Sequence, residues 1–138
     1  MKLSETTGYT LCRIARKIHY QVDEIFKPYG ITVEQWAALI TIEEKAPLSQ
    51  KQLSDSLEKN QNTVKALINH LLSKGWITRN TDPTDKRNQL LTLTEAGQQI
   101  TKELSFLDKK ANLAFLQTFT PEESQILSKL LSKIEASL

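Results

Sequence analysis

A single cysteine, Cys12, occurs in this sequence. No internal disulfide can form, and the expected setting is a reducing cytoplasm. The four glycines, Gly8, Gly30, Gly75 and Gly97, are scattered and build no phosphate-cradling loop. The longest unbroken apolar run is "WAALI", far short of a bilayer span, so no membrane partner is expected. The opening "MKLSETTGYTL" lacks the apolar core of a signal peptide, which adds to the expectation of a cytoplasmic protein. Low-complexity segments and repeats at solenoid spacing are missing too. No Ser/His/Asp or Cys/His arrangement has recognisable context, and no paired carboxylates mark a cleft, so an enzyme is not expected. One cysteine and two histidines, His19 and His70, offer no metal-ligand spacing, and neither metal nor cofactor is expected. Net charge is only +2, which by itself does not argue for nucleic acid.

What is present is ordinary in amount and uneven in placement. With 138 residues, 39% hydrophobic and 25% charged, the chain suits one globular unit. Between Lys45 and Lys102 nine basic residues face five acidic ones, while the rest of the chain is net acidic. The positive charge is thus gathered in the middle, where a polyanion could be met.

Periodicity orders the elements. Leu11, Ile14, Ile18, Val22 and Ile25 recur at steps of three and four, predicting a helix from Ser4 to about Lys27. "KPYGIT" breaks it. Thr32 and Gln35 form a capping box that opens a second helix, through about Glu44. Ser49 and Gln52 repeat that spacing and open a short third one, "SQKQLSDSL". Asn60 and Gly75 bound a fourth, whose Val64, Leu67, Ile68, Leu71 and Leu72 form a full amphipathic stripe. After Gly75 the period shortens to two, and "WITR" and "QLLTL" read as strands of a hairpin with a long, polar, mobile tip, "NTDPTDKRN". Thr94 caps a long helix through about Thr118. Thr120, Pro121 and Glu123 open the last, with Ile126, Leu127, Leu130, Leu131 and Ile134 on one side.

Two short helices with a tight linker, followed by a hairpin, are the plan of a winged helix-turn-helix. The expected fold is mainly α with a small β-hairpin wing, flanked by long N- and C-terminal helices. Their apolar stripes would be partly uncovered in a monomer, and a two-fold homodimer packing them together is the expected remedy.

At this point the chain resembles the MarR family of bacterial transcriptional regulators, over nearly its whole length. "DPTDKRNQLLTLTEAG" is similar to the family's wing and the start of its next helix, "LLSKGWITR" to the exit of its recognition helix, and "YGITVEQWAAL" to the start of its second helix. The resemblance implies a single unit over 1–138, with a DNA-binding lobe over 32–93 and dimerisation helices over 1–31 and 94–138. It also implies a homodimer on a pseudo-palindromic operator in double-stranded DNA. Such a protein usually represses, and often releases DNA when a small molecule or oxidant acts on it.

On the fourth helix, Asn62, Ala66, Asn69 and Ser73 lie opposite the apolar stripe, flanked by Thr63, Lys65 and His70. A solvated helix face would look the same; the short preceding helix and the basic hairpin turn the reading toward DNA. Base-edge contacts come mostly from the N-terminal half of such a helix, so Gln61, Asn62, Thr63 and Lys65 are the candidates, with Asn69 toward a phosphate. Many relatives carry Thr-Arg where this chain has Lys65-Ala66; Ala66 cannot make a bidentate guanine contact, though it can touch a thymine methyl. Ser49 is a candidate phosphate ligand, with a plain capping role standing beside it. His70 is expected near phosphate or solvent.

In the hairpin tip, an arginine suits a narrow minor groove with its enhanced negative potential. Ordering so long a side chain costs up to ~2 kcal/mol. A carboxylate two residues earlier can hold the guanidinium in one orientation. Asp85 then positions, Arg87 inserts and Lys86 meets phosphate; a bare surface ion pair is the competing interpretation.

Cys12 resembles in position the cysteine by which one branch of the family senses organic hydroperoxides. That branch supports its thiolate with tyrosines, where this chain has Phe26 and Trp36, so a small core residue is the favoured role. Arg16 lies one turn from Cys12; His19 is two turns away, ~10 Å along the helix, too far to act on it directly. The family often holds a ligand pocket between its dimer helices and its DNA-binding lobe, for which Cys12, Arg16, His19, Tyr20 and Trp36 are candidates. The alternative function is a winged-helix protein-interaction module without DNA binding.

Overall fold

The computed structural model describes residues 1–138. Six α-helices and three short strands follow one another as α1 (Thr7–Phe26), α2 (Val33–Lys45), β1 (Leu48–Ser49), α3 (Gln50–Leu57), α4 (Gln61–Ser73), β2 (Ile77–Thr81), β3 (Gln89–Leu93), α5 (Glu95–Leu116) and α6 (Pro121–Ala136). Short 3-10 turns, Leu3–Glu5 and Lys27–Tyr29, flank α1. The mainly helical fold with a winged hairpin is therefore observed. The chain divides into two compact units, Met1–Ser105 and Phe106–Leu138.

The first unit is organised by its caps. Thr32 Oγ1 accepts from the Gln35 amide at 3.2 Å while the Gln35 side chain accepts from the Thr32 amide at 2.9 Å, so two free donors at the start of α2 are satisfied reciprocally. Asp23, near the end of α1, accepts from the Val33 amide at 2.8 Å and ties the two helices together. The same reciprocal box, Ser49 with Gln52, opens α3. Helix α4 starts on the Asn60 side chain, which accepts from the Thr63 amide at 2.8 Å. It ends at Gly75, whose φ of 73° is the left-handed conformation that closes a helix, with the Trp76 amide donating to the Leu71 carbonyl at 3.1 Å.

The core lies where α2, α3 and α4 pack together over the sheet. Phe26, Leu39, Ile42, Leu53, Val64, Ile68, Leu71, Leu91 and Leu104 are sealed from solvent. The antiparallel sheet has the order β1-β3-β2, with Leu48 opposite Leu91 on one side and Arg79 opposite Leu91 on the other. Strand β1 was not expected: two residues carry no alternation to read. Strand β2 begins one residue later than "WITR" and continues through Asn80 and Thr81 into the supposed tip. Helix α1 begins at Thr7 rather than Ser4, and α5 stops at Leu116.

Helix α5 leaves the hairpin through a close contact. The Thr94 amide donates to the Trp76 carbonyl at 3.0 Å, the Thr94 hydroxyl donates to the Gly75 carbonyl at 2.6 Å, and the Gly97 amide returns to Thr94 Oγ1 at 3.0 Å. Gly97 is buried there because its missing Cβ would lie 1.9 Å from the Trp76 oxygen.

The second unit holds the rest of α5 and the whole of α6, opened by the Thr120–Glu123 capping box with Pro121 in the first turn. None of its residues is buried. Phe106, Leu113, Phe115, Ile126, Leu130, Leu131 and Ile134 remain exposed. No helix of the chain is long and apolar enough to cross a membrane.

Candidate nucleic-acid interface

The turn between α3 and α4 is tight because Glu58 takes a left-handed φ of 53° and the half-turn is sewn shut. The Lys59 amide donates to the Ser54 carbonyl at 3.2 Å, and the buried Ser54 hydroxyl donates back to the Lys59 carbonyl. This fixes α4 relative to α3. Val64, Leu67, Ile68 and Leu71 point inward, which leaves Gln61, Asn62, Thr63, Lys65, Ala66 and Asn69 exposed along the other face. That face carries amides, a hydroxyl and an ammonium, all able to meet base edges or phosphates.

Ser49 sits at the entrance of α3 with its oxygen engaged as a cap acceptor from Gln52 at 3.2 Å. The capping role is thus occupied, and the hydroxyl proton is left to donate elsewhere.

The wing tip is closed, not an open loop as its composition suggested. The Asp82 amide donates to the Asn88 carbonyl at 2.9 Å, the Asn88 amide to the Asp85 carbonyl at 3.0 Å, and Asp82 accepts from both the amide and the hydroxyl of Thr84. Those two bonds hold the Asp82 carboxyl below its usual range. Asp85 accepts from Arg87 three times: from Nε at 3.1 Å and the backbone amide at 3.0 Å on Oδ1, and from Nη2 at 3.3 Å on Oδ2. The Arg87 side chain and then its backbone amide lower the Asp85 pKa. Arg87 itself is 91% exposed, so the guanidinium is oriented by its base while its far edge is open. Lys86 is exposed beside it.

Ser49, Gln61 and Arg87 share the wall of one groove of about 490 Å³ between the start of α3, the start of α4 and the sheet. Lys65 and Asn69 lie outside it, on the exposed side of α4. The groove also contains Gln50, Lys51 and Arg79, which the sequence did not single out. Only the sheet register, which sets Arg79 opposite Leu91, brings that arginine here.

The candidate effector residues are only partly gathered. Arg16, His19 and Tyr20 border a shallow depression of about 350 Å³ formed by α1 alone, which neither Cys12 nor Trp36 enters. Cys12 is exposed, not a core residue. Trp36 packs against Phe26 with ring centroids 5.5 Å apart, and its indole N–H is buried without a partner. Arg16 lies over the Tyr9 ring at 5.9 Å. His70 is half-buried and its Nε2 is sealed from solvent without a partner, contrary to the expected phosphate or solvent setting. It stands at the edge of the apolar stripe, beside Leu71.

His19 makes a bridge that spacing within one helix could not reveal. Its Nε2 is 2.7 Å from Glu34 Oε1, and its Nδ1 is 3.3 Å from Asp23 Oδ2. The hydrogen bond to Glu34 raises the His19 pKa against partial desolvation, and both carboxylates add to the rise. Burial pushes Glu34 up, but the bond and charge of His19 and a backbone amide outweigh it, leaving its carboxyl below the usual range. These three side chains are the ones close enough to share a cation, their ligand atoms falling within 4.8 Å of one another; here both ring nitrogens face carboxylates instead.

Residues 31–89 match the family model described as MarR family. Among solved structures, the chain is similar to a cysteine-to-serine mutant of MarR from E.coli complexed with operator DNA: 26% identity, TM-score 0.84, covering 92% of this chain and 91% of that one. It shares its fold with an S. aureus MepR-DNA complex at 23% identity and TM-score 0.88, covering 96% and 98% of the two chains. The same holds for the transcriptional regulator SlyA at 21% identity and TM-score 0.84, covering 93% and 90%. The match to the MarR family thus falls on residues 31–89, the stretch that carries α2, the α3–α4 pair and the first strand of the wing.

Proposed function

We propose that the protein is a sequence-specific regulator of transcription that binds double-stranded DNA as a homodimer in the cytoplasm. The observation that carries this is the pairing of an exposed polar face on α4 with an arginine held outward by Asp85 at the wing tip. A helix of this size enters a major groove, and an oriented arginine reaches an adjacent minor groove. Gln61, Asn62, Thr63 and Lys65 would read base edges, Ser49, Asn69 and Lys86 would meet phosphates, and Arg87 would insert. MarR and MepR structures similar to this chain were obtained with DNA.

The homodimer is supported by the apolar side chains left bare in the second unit and by Tyr9, Ile14 and Tyr20 on α1. A second copy presenting the same surfaces would cover them. In that arrangement 32–93 is the DNA-binding lobe, and 1–31 with 94–138 form the dimer. The regulatory sense we propose is repression relieved by a signal, with the α1 depression at Arg16, His19 and Tyr20 as the place where a small molecule would act.

Fluorescence anisotropy on the duplex upstream of the protein's own gene, across salt and against random competitor, tests this. Wild type should bind tightly and lose affinity steeply with salt. Arg87→Ala should weaken binding about tenfold without lowering the melting temperature. Salt-insensitive behaviour with no preference for any duplex would instead favour a protein-interaction module.

A further inference from the structure

The groove between α4 and the wing is cationic without a counter-charge. Lys51, Arg79 and Arg87 line it, and no carboxylate does. Asp85, the acid nearest in sequence to Arg87, has both oxygens committed to that residue. Arg79 and Lys51 take part in none of the protein's ion pairs. The floor is apolar, made by the buried Ile68 and Leu91, so the cations stand over a low-dielectric surface. Like charges gathered this way repel one another and concentrate a positive potential that an anion would relieve.

The geometry of duplex DNA says which anion. A major groove and its neighbouring minor groove are separated by one sugar–phosphate strand. If α4 occupies the first and Arg87 the second, that strand must cross the protein between them. The groove occupies that interval, with Gln61 at the start of α4 on one side and Arg87 on the other. Arg79 rises from β2, where its register opposite Leu91 is fixed by the sheet, so its position does not depend on the hairpin tip.

We propose that this groove seats the sugar–phosphate strand between the two DNA grooves, with Arg79 and Lys51 as its phosphate-binding side chains. The assignment rests on the DNA-binding function proposed above. Phosphate contacts fix register and carry no sequence information. Arg79 therefore sets how firmly any duplex is held and leaves base preference to α4.

The test uses the full-length protein and a duplex selected by it from a random pool, with a scrambled duplex for comparison. Arg79→Gln should weaken both by the same factor, about tenfold, and flatten the log–log salt slope by about 0.9, the value for one phosphate on B-form DNA. The preference for the selected duplex should not change. A neutral methylphosphonate walked along the strand should weaken wild type at one position between the major-groove and minor-groove contacts, and should have no further effect on Arg79→Gln. Lys51→Gln, on exposed helix surface, carries the same measurement if Arg79→Gln does not fold. Wild-type affinity and slope in both variants, while Arg87→Ala is impaired, would overturn the phosphate seat alone. Failure of wild type to select or bind any duplex would overturn both the seat and the function beneath it.

Discussion

Replacing Gly97 with alanine tests how tightly α5 is joined to the wing. The new Cβ would stand 1.9 Å from the Trp76 carbonyl oxygen and 2.9 Å from its carbon. Both are backbone atoms, so no rotamer change relieves the clash. The first turn of α5 must lift from the start of β2 by roughly 1.5 Å to restore ordinary contact. That movement breaks the 3.0 Å bond from the Thr94 amide to the Trp76 carbonyl and strains the 2.6 Å bond from Thr94 Oγ1 to the Gly75 carbonyl. Overpacking at a well-filled site costs about 1–3 kcal/mol, and a lost hydrogen bond about 1 kcal/mol. Alanine returns about 1 kcal/mol through its better helix propensity. The net expectation is about 1–3 kcal/mol of destabilisation, seen as a melting temperature about 4–10 °C lower at fixed protein concentration. Gly8→Ala is the control: nothing lies within 4 Å of its would-be Cβ, so the melting temperature should be unchanged or slightly raised. If Gly97→Ala melted together with wild type, the close approach of α5 to Trp76 would be wrong.

Two further outcomes are expected. The His19 pKa is raised and the Glu34 pKa lowered, so the His19 contribution is full below about pH 6.5 and fades as pH rises through its folded value, while that of Glu34 is full above about pH 4.3 and fades on acidification. The bridge should therefore stabilise most between those limits, by no more than ~1 kcal/mol given its solvent exposure. In urea titrations, the gap between wild type and His19→Asn should be larger at pH 6 than at pH 8; an equal gap would remove the charged bridge. For the dimer, Leu130→Glu places a carboxylate on a side chain that is 50% exposed in the single chain, and sedimentation should show a shift from dimer to monomer at micromolar concentration. An unchanged mass would move the interface away from α6.

What was legible in the sequence was what is local. The Thr32–Gln35, Ser49–Gln52 and Thr120–Glu123 boxes each close within one turn, and their residue types state the start of α2, α3 and α6 without reference to the rest of the chain. The stripe of α4 likewise defines both its buried and its open face. The Asp85–Arg87 contact spans two residues and was readable for the same reason. Elements that depend on distant partners were not. Strand β1 exists because Leu48 meets Leu91, forty-three positions on. Glu34 reaches His19 from another helix. Arg79 joins Lys51 only once the sheet has folded onto α3. The polarity of His70 points outward, but its place beside Leu71 at the margin of the stripe draws its ring inward.

Ser49 is at once the last residue of β1 and the cap of α3. The same backbone unit that pairs with Leu90 in the sheet also sets where α3 begins. The hairpin and the helix pair are thus geared together at a single residue, with no slack between them. Tilting the wing against α4 would disturb both the Ser49–Leu90 pairing and the cap of α3. In the homodimer proposed above, a signal that lowered DNA affinity would therefore act by changing the spacing of the two lobes rather than the shape of either.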